Sequence, residues 1–212
     1  MKSQWTFLVA FAITAMVALP GAAMTLTVDA GGVTVRDVTA GARVILFGVG
    51  REPLGDRSAI RRWTEVVADE DRNGSIRFSA SVTSKSIWVA VDLDSGERVS
   101  ATGPGYPRRE VTAGFGVKRN NAGQLSKLEN ARGVAELLIV RPKRGAWRLS
   151  AMKNSLEDDA RDNPGSMRLD VSSFHAVDGV PSDDLRHLKR GDVLAMIDPR
   201  RMQFYVVQVN ED

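Results

Sequence analysis

Between Ser75 and Leu93 the side chains alternate instead of recurring every third or fourth residue, a rhythm that no packed helix accommodates. Ile76, Phe78, Ala80 and Val82 fall on one side of an extended segment, with Ser75, Arg77, Ser79 and Ser81 on the other. A sheet with one wet face follows. Ser86 to Leu93 repeats the rhythm, setting Ile87, Val89, Val91 and Leu93 against Trp88, Ala90 and Asp92. The two stretches read as a hairpin laid on a hydrophobic core, entered through the acidic loop Asp69 to Ser75 and left at Asp94, Ser95 and Gly96.

The flanking chain has the same texture. Thr25 to Asp29 and Val33 to Val38 read as strands joined at Gly31 and Gly32, and Arg43 to Val49, apolar on both faces, predicts a central strand covered from two sides. With Trp63 to Ala68 and Arg98 to Thr102 the first half holds about seven short strands, the count and spacing of an immunoglobulin-like β-sandwich. Gly103 to Gly123, rich in Gly, Pro and Asn, then separates it from the rest. The predicted organisation is a signal peptide at 1–23, an N-terminal sandwich at 24–103, a linker or crossover at 104–123 and a β-rich C-terminal part at 124–212. In that last part Val134 to Val140, Trp147 to Met152 and Met167 to Val171 read as strands, and Val193 to Ile197 pairs with Met202 to Val209. One or two short helices join them. Leu125, Leu128 and Ala131 recur at helical spacing before Gly133, and Ser182 caps a turn that Asp183 and Asp184 favour and Gly191 ends.

Composition bounds the compartment and the partners. Lys2, the apolar run Phe7 to Leu19 and the small residues Gly21 and Ala23 predict a signal peptide cleaved after Ala23. The run is shorter than the roughly 20 residues of a membrane span, a retained anchor being the competing reading. No later segment is apolar enough to span, so the expected product is periplasmic or extracellular. The 212 residues include no Cys, so stability comes from core burial or a bound ion rather than from disulfides. Lys and Arg number 29 against 26 Asp and Glu, and basic pairs such as Arg61–Arg62 and Arg108–Arg109 are scattered. That is no phosphate track, and nucleic acid is not an expected partner.

Asp69, Asp71 and Asn73 alternate before Gly74, and Ser75 can offer its carbonyl, which is the opening half of an EF-hand-type calcium loop. Arg77 and Ala80 stand where the later ligands belong, so calcium would need a carboxylate from elsewhere, Asp92 or Asp94 being candidates. A plain turn whose acids stay wet is the alternative. Trp88, on the polar side of its strand, is either a platform for sugar rings or is covered by an opposing sheet. His175 and His187 are the only imidazoles and neither has a nucleophile context, so no catalytic residue is assigned. Asp158 and Asp159 could serve glycoside hydrolysis, although adjacent loop acids ordinarily meet solvent or ions. Arg190, Gly191 and Asp192 spell an integrin-type tripeptide at a helix stop, where chance explains it better.

One echo crosses the chain. Trp63, an acidic loop and Gly74-Ser75-Ile76-Arg77-Phe78 return as Trp147, the acidic loop 157–164 and Gly165-Ser166-Met167-Arg168-Leu169. Either a strand-loop-strand unit is duplicated or two hairpins share Gly-Ser exits by chance. The second copy, Gly145 to Phe174, resembles the Asp- and Gly-rich segment that follows a Trp-bearing strand in bacterial secreted immunoglobulin-like modules. The resemblance implies an exported sandwich rather than an enzyme, and names no ligand. The expected function is therefore an exported, non-enzymatic β-sandwich acting as a binding, adhesion or envelope-associated module, calcium-stabilised at the Asp69 loop, with an extracellular protein or glycan as partner. The alternative is an accessory protein that binds or degrades polysaccharide, with Trp88 stacking on sugar and loop acids doing acid–base work.

Overall fold

The computed structural model describes residues 23–54, 57–106, 116–121, 125–129, 136–150, 166–168, 174–177, 185, 187–199 and 202–210, and every regular element among them is a β-strand. The leader expected at 1–23 lies outside them except for Ala23. In the first half the strands are Thr25–Asp29 (β1), Gly32–Arg36 (β2), Arg43–Leu54 (β3), Arg57–Ala68 (β4), Ser75–Phe78 (β5), Lys85–Asp92 (β6) and Arg98–Thr102 (β7). In the second half they are Gly116–Arg119 (β8), Leu125–Glu129 (β9), Glu136–Arg141 (β10), Gly145–Ser150 (β11), Ser166–Arg168 (β12), His175–Ala176 (β13), Val193–Asp198 (β14) and Gln203–Gln208 (β15).

Each half builds two antiparallel sheets. In the first, β1-β2-β5 forms an outer sheet and β4-β3-β6-β7 an inner one; in the second, β8-β9-β12 is outer and β11-β10-β14-β15 is inner, with β13 added beside β11. Apart from β13, the two halves have the same strand order. The register agrees as well: Ile76 lies opposite Val35, and Met167 lies opposite Leu128, so the Gly-Ser echo occupies the same place in both outer sheets. Trp63 and Trp147 sit correspondingly on β4 and β11, opposite Gly48 of β3 and Ile139 of β10. Chance hairpins would not reproduce a whole sheet order, so the duplication explains the echo better.

The inner sheets face one another. Val44 and Leu46 of β3 pack outward with Val33, Val35, Ile76 and Phe78, whereas Ile45, Phe47 and Val49 share a second core with Leu138, Val140, Ala195, Ile197 and Phe204 of the other half. That core crosses the stretch 104–123. Phe47 and Phe204 meet at a ring-centroid distance of 5.7 Å. A third core lies under the outer sheet of the second half, where Leu128 covers Leu137, Ile139, Trp147 and Leu194. The order of layers is thus outer, inner, inner, outer. Burying each such side chain contributes roughly 1.5–3 kcal/mol, so a shared core of this size holds the halves together without a disulfide.

Two expectations need correction. β5 and β6 are not a hairpin: β5 pairs with β2 in the outer sheet, β6 pairs with β3 and β7 in the inner one, and residues 79–84 cross between layers. Alternation reports which side chains share a face, not which strand is the neighbour. The helix read from Leu125, Leu128 and Ala131 is strand β9 over Leu125–Glu129, because Leu128 is needed on the sheet face that covers the third core. Of the second predicted helix, 181–184 and 186 lie outside the described residues, and Leu185 and His187 to Arg190 form turns and a single bridge.

Trp63, Gly48 and Trp88 form a row across β4, β3 and β6. The two indoles meet over the glycine, centroids 4.9 Å apart and tilted by 40°. A Cβ on residue 48 would lie 2.2 Å from Trp88 Cε3. Gly48→Ala is accordingly expected to cost about 1–3 kcal/mol in urea denaturation, the range for overpacking a filled core. Phe47→Ala should cost about 3–5 kcal/mol and lower the midpoint equally for amides of β2 and of β14. Separate transitions for the two halves would show that the shared core does not couple them.

Candidate functional site

The acidic loop between β4 and β5 is closed by hydrogen bonds. Asp69 is 2% exposed, and its Oδ2 accepts the amides of Gly41 at 3.2 Å and Gly74 at 3.1 Å. Asp71 Oδ1 accepts the Asn73 amide, its Oδ2 accepts Asn73 Nδ2 at 2.7 Å, and Asn73 Oδ1 accepts the Ser75 amide at 2.7 Å. Gly74, at φ 76°, supplies the left-handed turn into β5. Asp69 Oδ2, both Asp71 oxygens and Asn73 Oδ1 thus accept N–H donors along the loop, and the fourth calcium candidate, Ser75, donates its amide to Asn73. Asp92 lies at the end of β6, at the turn into residues 93–96. Its Oδ1 accepts the amides of Asp94 and Ser95 at 2.7 and 3.2 Å, capping its own turn. Among the described residues no three acidic or imidazole side chains converge as a metal-ligand group. One atom stands apart: Asp69 Oδ1 is buried without a hydrogen-bond partner.

Trp88 is fully buried, with Nε1 donating to Ser86 Oγ at 2.9 Å and its ring against Trp63. No face of the indole is open, so the sugar platform expected there is corrected. Both faces of β6 are covered, one by each half of the molecule, and a strand with Ala90 and Asp92 beside the tryptophan looked wet only because Asp92 is a turn cap. Asp158 and Asp159 lie outside the described residues. His175 is exposed on β13, and His187 is exposed with its carbonyl accepting Arg141 Nη2 at 2.8 Å. The integrin-type tripeptide is not on display either. Asp192 is 1% exposed and takes a fork from Arg141, Nε to Oδ1 and Nη2 to Oδ2, both at 3.1 Å.

Charged contacts that sequence reading missed lie between the inner sheets. Arg62 Nε approaches Glu136 Oε1 at 3.2 Å, and Arg148 Nη1 donates to Thr64 Oγ1 at 3.2 Å. Further along, Arg98 Nη1 meets Gln208 Oε1 and Tyr106 Oη donates to the Met202 carbonyl. Each pair joins residues too far apart in sequence for any periodicity to reveal.

No protein-family model, curated protein or solved structure matches the chain.

Two of the buried carboxyls, Glu136 and Asp69, are shifted in opposite directions. Burial of Glu136 raises its pKa above the ordinary 4.5, against the opposing fields of Arg62 and Arg148. The folded chain therefore holds that proton more tightly than the unfolded one, and stability declines as pH rises through the folded value. Glu136→Gln should flatten thermal stability between neutral pH and about 4.5, as melting curves across that range will show. Burial would also raise Asp69, but the amides of Gly41 and Gly74, with the Asp71 side chain and the Asn73 amide, outweigh it and hold the group below 3.8. Its stabilisation is complete above the ordinary value and is lost as pH falls through the folded one. Asp69→Asn is expected to lower the melting temperature at pH 7 and to remove that acid-limb loss.

Proposed function

We propose that the chain is an exported, non-enzymatic pair of immunoglobulin-like sandwiches, at 24–103 and 124–212, acting as a binding, adhesion or envelope-associated module. The observation that carries the reading is the repeated order of a three-stranded sheet on a four-stranded one, antiparallel throughout and linked by crossings between layers. Two sheets with such crossings are the plan on which immunoglobulin-like sandwiches are built, and domains of that plan commonly serve cell surfaces. The pairing of inner sheets fixes the halves to each other, so their loops and edges are held at set positions. Rigid frames of this kind carry recognition on exposed connections.

Export rests on Lys2, the apolar run to Leu19 and the small residues before Met24. Fractionation followed by N-terminal sequencing should find the mature chain outside the cytoplasm, starting at Met24. The purified mature chain should then bind isolated envelopes saturably. Loss of binding after protease treatment of the envelopes would identify a protein partner, and loss after glycosidase treatment a glycan. Cytoplasmic retention of the intact chain, or no saturable binding, would overturn the reading.

We propose calcium as a stabiliser of the Asp69 loop, where Asp69 Oδ1 is buried without a hydrogen-bond partner, so millimolar calcium is expected to raise the melting temperature. No rise, where linkage demands one of an ion bound to the folded state, would remove the ion-site reading.

A further inference from the structure

The duplicated halves differ by one strand. In the second, β13 runs beside β11, with Ala176 opposite Trp147 and His175 opposite Arg148. In the first, the matching edge is β4, and among the described residues no strand lies beside it. Connection length is the cause. Residues 79–84 pass directly from β5 to β6, whereas residues 169–192 link β12 to β14 and supply β13 on the way.

The open edge stands over a ledge. Thr64 and Arg148 hold corresponding places in β4 and β11, opposite Phe47 and Leu138, and they touch across the inner sheets. β4 therefore lies over β11, and the place beside β4 lies over β13. His175 and Ala176 are exposed there, while Val177 and Val66 both pack against the shared core. The edge itself is partly apolar and carries the exposed Arg61, Arg62 and Glu65. Arg61 and Arg62 show 58% and 39% of their side chains, and Ile60, at 41%, is the exposed large hydrophobic among the described residues. Among the described residues each arginine has one carboxylate partner, Glu52 or Glu136, and a guanidinium carries five donors.

We infer that β4 is a docking edge that takes one extended, acidic segment of a partner protein by antiparallel strand addition, in the place that β13 fills in the other half. This rests on reading the molecule as a binding module. An unpaired strand edge offers rows of free N–H and C=O groups, and an incoming strand uses them for affinity while its side chains supply specificity. Acidic side chains meet Arg61 and Arg62, and an apolar one meets Ile60. A second copy of the chain fits poorly, because β13 projects into the space that the copy's inner sheet would need. In the sequence, Asp170 and Asp178 flank the strand that fills the twin place.

The test titrates the full mature chain with a synthetic peptide of the sequence of residues 170–179, and with a version carrying Lys at both Asp positions. Backbone amide shifts and hydrogen exchange are followed along β4. The acidic peptide should protect amides between Ile60 and Val66, and the lysine version should bind at least about tenfold more weakly. Ile60→Lys and Arg61→Glu, both at exposed positions, should weaken binding with the melting temperature unchanged. The inference fails if millimolar acidic peptide leaves β4 amides unprotected, if both peptides bind equally, or if β4 becomes protected only as the chain dimerises. Because the readout is amide by amide, saturable envelope binding with β4 unprotected would refute the docking edge and leave the binding-module reading standing.

Discussion

The burial of one inner sheet against the other is the interaction on which the remaining structure depends. β3 and β6 present apolar residues on both faces, and a strand of that kind has no stable place unless two layers cover it. Its own outer sheet supplies one layer. The other comes from the second half, through Leu138, Val140, Ala195, Ile197 and Phe204. Without that second cover, Ile45, Phe47, Val49, Ile87, Val89 and Val91 would form an apolar patch larger than soluble chains ordinarily expose. A cysteine-free chain thus obtains through layering the cohesion that small exported domains often take from disulfides.

This arrangement also decides where recognition can occur. Both faces of both inner sheets are covered, which leaves turns, strand edges and the outer faces of the outer sheets. Trp88 illustrates the consequence: an aromatic ring on a sheet face becomes part of the core when a second layer is present. Polar groups that look functional in the sequence are drawn into the same structural work. Asp69 and Asp92 cap turns, and Asp192 neutralises Arg141 at the end of β10. Glu136 is the exception, a carboxyl whose burial between the halves is only partly compensated by Arg62 and Arg148.

Much of the strand content was legible in the sequence, because alternation and two-sided apolar runs are local. Arg43 to Val49 showed that it would be covered twice, whereas the Gly-Ser echo left duplication and chance equally open until the sheet order was seen. Partners were not legible. Ile76 to Phe78 and Ser86 to Leu93 follow each other closely, yet they belong to different sheets, and nothing in their composition separates a hairpin from a crossing. Leu125 and Leu128 fit a helical spacing by accident of a short segment, and the need for Leu128 over Leu137 and Trp147 overrode it. The contacts between inner sheets, such as Arg62 with Glu136, depend on the two-layer packing itself and leave no trace in either strand alone.

The shared core imposes an order on the chain's biogenesis. The N-terminal half leaves the ribosome first, complete in its own strand pairing through β7, but its lid begins with β10 and closes only with β15. Until then Phe47 and its neighbours have no cover, and two such nascent chains side by side would offer each other matching bare sheets. In that interval the first half is the part of the chain most open to pairing with its like.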